Sequence, residues 1–197
     1  MKIKLSNVRL SFPCLFEAVQ YNGMGPFKYR AQFLLEDENQ KVTVMHPDGP
    51  SQVGIKDAIA EVAKERWAKT AQTALNALAG DSQKFCFIDG ARKTSEATLD
   101  YWILTATRDQ TKGRPIVLDQ NKAPLTEQDG RPYGGCFVNA TVDVWAQDNE
   151  FGKGLRATLL GVQFLKDGDK FGAGGAPSSD DFDQISVEDE NDISDLV

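Results

Sequence analysis

Only one stretch of this chain carries apolar residues at helical spacing, and most other apolar residues alternate with polar ones. Over Ile55 to Ala79, the residues Ile55, Ile59, Val62, Ala63, Trp67, Ala71, Ala74, Leu75 and Leu78 fall on one stripe among Ala, Lys and Glu, and Gly80 follows. That spacing predicts one long helix with a single buried face, ended by the residue that most easily takes a left-handed conformation. Elsewhere alternate residues share a face. Val8, Leu10 and Phe12 alternate with Arg9 and Ser11 until Pro13, which predicts a half-buried strand ending at a turn. Phe27, Tyr29, Ala31, Phe33 and Leu35 take one face of a second strand and Lys28, Arg30 and Gln32 the other, so its open face is basic. Shorter runs follow at Phe85 to Ile88 and Tyr101 to Ala106, then a polar loop from Thr107 to Gly135. Cys136, Val138, Ala140, Val142 and Val144 alternate with Asn139, Thr141 and Asp143, and Leu155 to Leu165 follows the turn residues Asp148 to Gly152, which predicts an antiparallel hairpin.

Strands interrupted by one helix, without repeated strand–helix alternation, do not build a parallel doubly wound sheet. The expected class is mainly β: an OB-fold-like five-stranded barrel with one long helix packed on it and extended loops. A Greek-key sandwich would give a similar strand order. The barrel is assigned to residues 1–172, a length that suits one domain.

The remaining residues, 173–197, differ in kind. They hold eight of the chain's 29 carboxylates, namely Asp180, Asp181, Asp183, Glu188, Asp189, Glu190, Asp192 and Asp195, and no Lys or Arg. The net charge of −7 therefore belongs to this arm, since residues 1–172 keep all 22 basic residues against 21 acidic ones. Self-repelling charge with few apolar residues cannot bury enough surface to fold, so the segment reads as a Gly-rich hinge and a disordered acidic tail.

A search for reaction chemistry returns little. His46 is the single histidine and sits in a turn-like Met45-His46-Pro47-Asp48-Gly49-Pro50, where a solvated ring is the ordinary expectation. No phosphate-loop, dinucleotide or nucleophile-elbow motif occurs, and Gly172-Ala173-Gly174-Gly175 precedes no helix. Cys14, Cys86 and Cys136 are odd in number and widely spaced, which argues against a disulfide framework or a zinc site and for buried free thiols. Asp100, Asp109, Asp119 and Asp143 are loose metal candidates whose spacing singles out no pair. No catalytic residue, metal or cofactor is expected. No apolar run is long enough to span a bilayer and the start lacks a signal peptide's apolar stretch, so a cytoplasmic location without membrane contact is expected.

What recurs is cations beside aromatics. Single-stranded nucleic acid suits this pairing, because guanidinium and ammonium groups follow phosphates while flat rings stack on bases. The candidates for phosphate contact are Lys28, Arg30, Arg108, Lys112, Arg114, Arg131 and Arg156, and those for stacking are Tyr29, Trp102, Tyr133 and Trp145. Phe33, Phe85, Phe87 and Trp67 are assigned to the core. A polyanionic arm on a hinge would compete locally for such a groove, and once displaced it would be free to dock elsewhere. Apolar residues set among its acids, Phe182, Leu196 and Val197, suit recognition by a partner protein with a basic, partly apolar pocket.

This organisation resembles the bacteriophage single-stranded-DNA-binding proteins. The stretch Tyr133-Gly134-Gly135-Cys136-Phe137-Val138-Asn139-Ala140, the strand to Trp145, and Gly154-Leu155-Arg156 through Gly161-Val162-Gln163-Phe164 to Lys166-Asp167-Gly168 are similar to a phage and prophage family once known only as a domain of unknown function. The resemblance spans residues 1–172 and implies an OB-fold protein that coats single-stranded DNA in replication or recombination and recruits the proteins of those processes through its arm. Two features depart from the better-known examples. The chain ends Asp195-Leu196-Val197 without a phenylalanine tip, and the loop from Thr107 to Gly135 has the length to widen a groove or to join copies in a homo-oligomer. The rival readings are an inhibitor whose acidic arm mimics DNA, and a metal-dependent nuclease.

Overall fold

The computed structural model describes residues 1–21, 23–92 and 98–171. In chain order the elements are β1 (Lys2–Tyr21), β2 (Met24–Leu35), β3 (Lys41–His46), β4 (Gly49–Gly54), α1 (Ile55–Trp67), α2 (Ala71–Leu78), β5 (Phe87–Asp89), β6 (Trp102–Asp109), β7 (Ile116–Leu118), β8 (Phe137–Asn149) and β9 (Gly152–Lys166). Their lengths are unequal for a reason visible in β1. Asn7 and Phe12 have φ of 51° and 43°, and the register slips between Leu5 and Val8 against β8 and between Ser11 and Cys14 against β2. Such bulges bend a strand without ending it. The expected stop at Pro13 is therefore corrected: proline has no N–H for the ladder, and the strand absorbs it inside an irregular stretch and continues to Tyr21.

The bends let one strand serve two surfaces. Ile3 and Lys4 pair with β3, whereas Arg9 to Tyr21 pair with β2. β2 pairs antiparallel with β6, β6 meets β9 in parallel at Thr107 and Thr158, β9 pairs with β8, and β8 returns to β1. The pairings close a ring of five strands, as expected for the mainly β, OB-fold-like class. The β3–β4 hairpin extends the sheet from β1, and β8 and β9 form the expected antiparallel hairpin around a tight turn at Glu150 and Phe151. Inward residues fill the ring: Ile3, Leu5, Leu10, Phe33, Leu35, Leu104, Leu155 and Phe164 are all essentially inaccessible.

The helix is present but broken. After Trp67 the backbone turns through Ala68 (φ 47°, ψ −119°) and one 3-10 turn, Ala68–Thr70, before α2 begins. The apolar stripe survives the break, with Ile55, Ala58, Ile59, Val62, Ala63 and Trp67 followed by Ala71, Ala74 and Leu78, all buried. α1 packs on β8, β3 and β4, and so covers the inner side of that part of the sheet. Phe33, Phe87 and Trp67 lie in the core as expected, with Phe85 packed on its edge. Cys86 and Cys136 are buried, and burial pushes their thiols up to about 12 and about 11, while Cys14 is half-exposed rather than buried. Among the described residues no helix is long and apolar enough to cross a membrane.

Candidate nucleic-acid interface

Alternation along β2 sends Tyr29, Ala31 and Phe33 into the ring and leaves Lys28 and Arg30 on its outer surface. On β6 the same parity puts Leu104 and Ala106 inside and Thr105 and Thr107 outside. Arg30 stands opposite Thr107, and Thr107 opposite Thr158 of β9, so the outward residues of three strands run on as one face. Lys28, Arg30, Thr105 and Thr107, with Leu155 to Ala157 of β9, line a groove of about 650 Å³ that ends short of Thr158. Val19, Gln20 and Met24 wall it on the side of the β1–β2 turn, and Gln83, Phe85 and Arg156 on the other.

The electrostatics of this groove are one-sided. Lys28, Arg30 and Arg156 line it, and among the described residues no carboxylate does. Arg156 is fixed by its neighbours, with Nη1 donating to the Gln83 carbonyl and Nε to Gln147 Oε1 at 3.3 Å. Arg30 is not: its Nε is buried and has no hydrogen-bond partner. A buried guanidinium N–H left unpaired is costly, while the terminal Nη groups of the same side chain are the ones a phosphate in the groove could reach. Asp109 stands opposite Lys28, but its carboxylate accepts the Thr111 hydroxyl (2.6 Å) and backbone N–H (2.9 Å). Those hydrogen bonds, more than the nearby Lys28 and Lys112, hold its carboxyl below the usual carboxylate range.

Trp145 extends this face onto β8. It pairs with Arg156 across the hairpin, is 42% exposed, and donates its indole N–H to Thr158 Oγ1 at 3.1 Å. The hydrogen bond fixes the ring beside the cationic groove. Lys28 and Arg30 of β2, Arg156 of β9 and Trp145 of β8 are thus brought together from three separate strands.

The other candidates are placed elsewhere. Tyr29, 9% exposed, points into the ring, so its assignment to base stacking is corrected to core. Trp102 has the inward parity of Leu104 and stacks on Phe87 (centroids 5.2 Å apart, planes at 27°) under the Lys56 ammonium, so it too is corrected to the core margin. Tyr133 uses its hydroxyl within the fold, donating to Asp167 Oδ1 at 2.9 Å and accepting from the Gly168 N–H at 3.2 Å. Arg131 lies over the Phe164 ring at 5.2 Å. Arg108 clamps a turn, with Nε donating to the Gly113 carbonyl and Nη2 to the Lys112 carbonyl, both at 2.7 Å. Lys112 is exposed on that turn, and Arg114 lies over Phe16 at 5.5 Å.

Sequence reasoning missed three exposed apolar side chains, of which Met24 lines the groove. Phe151, 75% exposed, sits in the β8–β9 turn, and Met24 begins β2. Phe27 has the inward parity of Tyr29 yet is 47% exposed. The β1–β2 and β8–β9 turns are the two that flank the strand 2–3 face in a five-stranded barrel, so turn position was the available signal. Three of the four carboxylates considered for metal binding have separate local duties: Asp109 as above, Asp119 accepting the Asn121 and Ala123 N–H groups at 2.8 Å, and Asp143 accepting the Met1 ammonium at 2.9 Å. The tail residues Asp180, Asp181, Phe182, Asp183, Glu188, Asp189, Glu190, Asp192, Asp195, Leu196 and Val197 lie outside the described residues.

Comparison with known proteins places this face in context. Residues 1–193 match the family described as Enterobacter phage Enc34, ssDNA-binding protein. Protein p50 of Acyrthosiphon pisum secondary endosymbiont phage 1 is 43% identical over 194 residues, covering 98% of each chain. Among solved structures, the single-stranded DNA-binding protein from bacteriophage Enc34 in complex with ssDNA is similar with a TM-score of 0.59 and 26% identity, over 87% of this chain and 89% of that one. In fold the chain is also similar to gp2.5, a single-stranded DNA-binding protein of bacteriophage T7, with a TM-score of 0.50 and 13% identity over 95% and 98% of the two chains.

Proposed function

The chain belongs to the phage Enc34 single-stranded-DNA-binding protein family, a family of binding proteins rather than enzymes, and from that premise we propose that it binds single-stranded DNA along the outer face of β2, β6 and β9. The observation that carries this reading is the groove lined by Lys28, Arg30 and Arg156 and, among the described residues, by no carboxylate. Phosphates would lie along these cations, and Trp145 beside the groove would stack on a base. Contacts of this kind are tolerant of sequence, because every base has a π face and every nucleotide a phosphate.

Residues 1–172 act as the DNA-binding body and 173–197 as an arm. Eight carboxylates on a glycine-rich hinge compete with phosphates for the groove, and a long strand displaces them through many contacts. The displaced arm is then available to basic, partly apolar pockets on replication or recombination proteins. The body without the arm should bind oligothymidine more tightly than the full chain, and the gap should shrink with salt; a tighter full chain would refute the arm's role.

The groove itself is tested by a salt-resolved titration of the full chain against an oligothymidine. The log–log slope should be about −0.7 per phosphate contacted on a single strand, and Lys28→Ala should reduce it by about one contact. Affinity that ignores salt, or that is unchanged in a Lys28→Ala, Arg30→Ala variant, would remove the groove from consideration.

A further inference from the structure

A second cationic groove lies on the outer face of β1 and β8. Lys2, Lys4 and Ser6 of β1 point out while Ile3 and Leu5 point in, and Lys4 stands opposite Thr141 of β8. Thr141 in turn faces Gly161 of β9, and Asn139 faces Gln163, so the floor is polar and small at its centre. Arg108 from the end of β6 and Arg114 from the segment after it line one side, and Ile116 of β7 forms the far wall. The groove encloses about 670 Å³ and is lined by the four cations Lys2, Lys4, Arg108 and Arg114 and, like the first, by no carboxylate among the described residues. Lys2, Lys4 and Arg114 are exposed and take part in no ion pair among the described residues. The helix covers the opposite side of this part of the sheet, so the outer side is left open.

The two grooves share a strand. The first uses Leu155 to Ala157 of β9 and the second Leu160 to Gln163, a separation of about 10 Å at the rise of a β-strand. Thr158 lies between them with the Trp145 indole fixed to its hydroxyl. The acid at this crossing is Asp143, opposite Thr158, whose carboxylate is 2.9 Å from the Met1 ammonium.

We propose that the β1–β8 groove is a second phosphate-binding site, and that a single strand leaving the β2–β6–β9 face passes Trp145 and continues across Lys2, Lys4 and Arg114. This rests on the reading of the first groove as a DNA site. It gives the protein a longer footprint than the strand 2–3 face alone.

The test compares the full chain with a Lys2→Ala, Lys4→Ala, Arg114→Ala variant on two oligothymidines, one of about 6 nucleotides and one of about 24, chosen against the roughly 4–16 nucleotides a single OB barrel covers. On the long strand the variant should bind at least about tenfold more weakly at low salt, with a salt slope smaller by about 2. On the short strand it should match the wild type, which also shows that it is folded. A Lys2→Arg, Lys4→Arg variant keeps the charges and should match the wild type on both. Equal affinity on the long strand, or equal loss on both, overturns the proposal. A gain on both lengths also overturns it, by assigning the groove to an acidic peptide such as the chain's own arm. If the wild type binds neither strand, or Lys28→Ala leaves short-strand binding intact, it is the first groove that fails.

Discussion

Trp145→Ala separates a stacking ring from a structural one. The side chain is 42% exposed and its hydrogen bond to Thr158 lies at the surface, so its removal costs the fold about 0.5–1.5 kcal/mol for that bond and, with the ring's partial packing, less than the roughly 3–5 kcal/mol of a core Trp→Ala. Against the roughly 5–15 kcal/mol that holds a domain together, the variant stays folded. If the indole stacks on a base, its loss should weaken binding by about 1–3 kcal/mol. In dissociation constant that is roughly 5- to 150-fold. The assay is a titration with oligothymidine read by tryptophan fluorescence, repeated on single Trp→Phe variants. Trp67 is 4% exposed on the helix stripe and Trp102 is sandwiched between Phe87 and Lys56, so neither should report the DNA. Quenching should persist in Trp67→Phe and Trp102→Phe and vanish in Trp145→Phe. Thr158→Val keeps the shape but removes the acceptor that fixes the indole, and should give a smaller loss than Trp145→Ala. Quenching that survives Trp145→Phe would refute the reasoning and move the DNA to another face.

Phe33 is wholly buried in the ring, and Phe33→Ala should destabilise the protein by about 3–5 kcal/mol, read as the urea midpoint at an unchanged slope. The buried Cys86 thiol, raised from 9.0 to about 12, stays protonated in the fold while an unfolded thiol ionises, so its contribution is intact below pH 9 and is lost as pH climbs toward 12. Unfolding midpoints should fall across that window, and less so in a Cys86→Ala variant. A thiol reagent at pH 8 should accordingly label half-exposed Cys14 first and leave Cys86 and Cys136 until the protein unfolds.

Much of this architecture was legible because alternation reports which side of a strand is buried. The β8–β9 hairpin and the inward set on β2 follow from it directly. Alternation does not report where a ring ends. Phe27 and Tyr29 share a parity, yet one is past the mouth and the other inside, while Trp102 and Tyr29 look like stacking rings only until closure turns them inward. Breaks in backbone geometry were invisible too. Ala68 has a left-handed φ in a sequence rich in helix formers, and Pro13 is tolerated because a bulge takes up its missing donor. The cations were harder still. Lys28, Arg30 and Arg156 meet only because β2, β6 and β9 are neighbours, whereas Arg108, Lys112 and Arg114, close in sequence, serve a turn and the neighbouring groove. Lys2 and Lys4 gave no signal at all, being lysines without an aromatic neighbour in sequence.

The closing order of the ring has a consequence for the life of the chain during synthesis. β1 is made first, but its partner β8 follows more than a hundred residues later, and β6 waits for β9 to arrive in parallel. Pairings this distant in sequence put folding in the slow range of about milliseconds to seconds, late in a synthesis that proceeds at roughly 5–20 residues per second. The groove floor needs Ala157, so a nascent chain that has exposed Lys28 and Arg30 still lacks the surface that would grip DNA. If this groove is the DNA site, binding competence waits until residues 152–166 have joined the sheet, and incomplete chains would leave single strands to finished molecules.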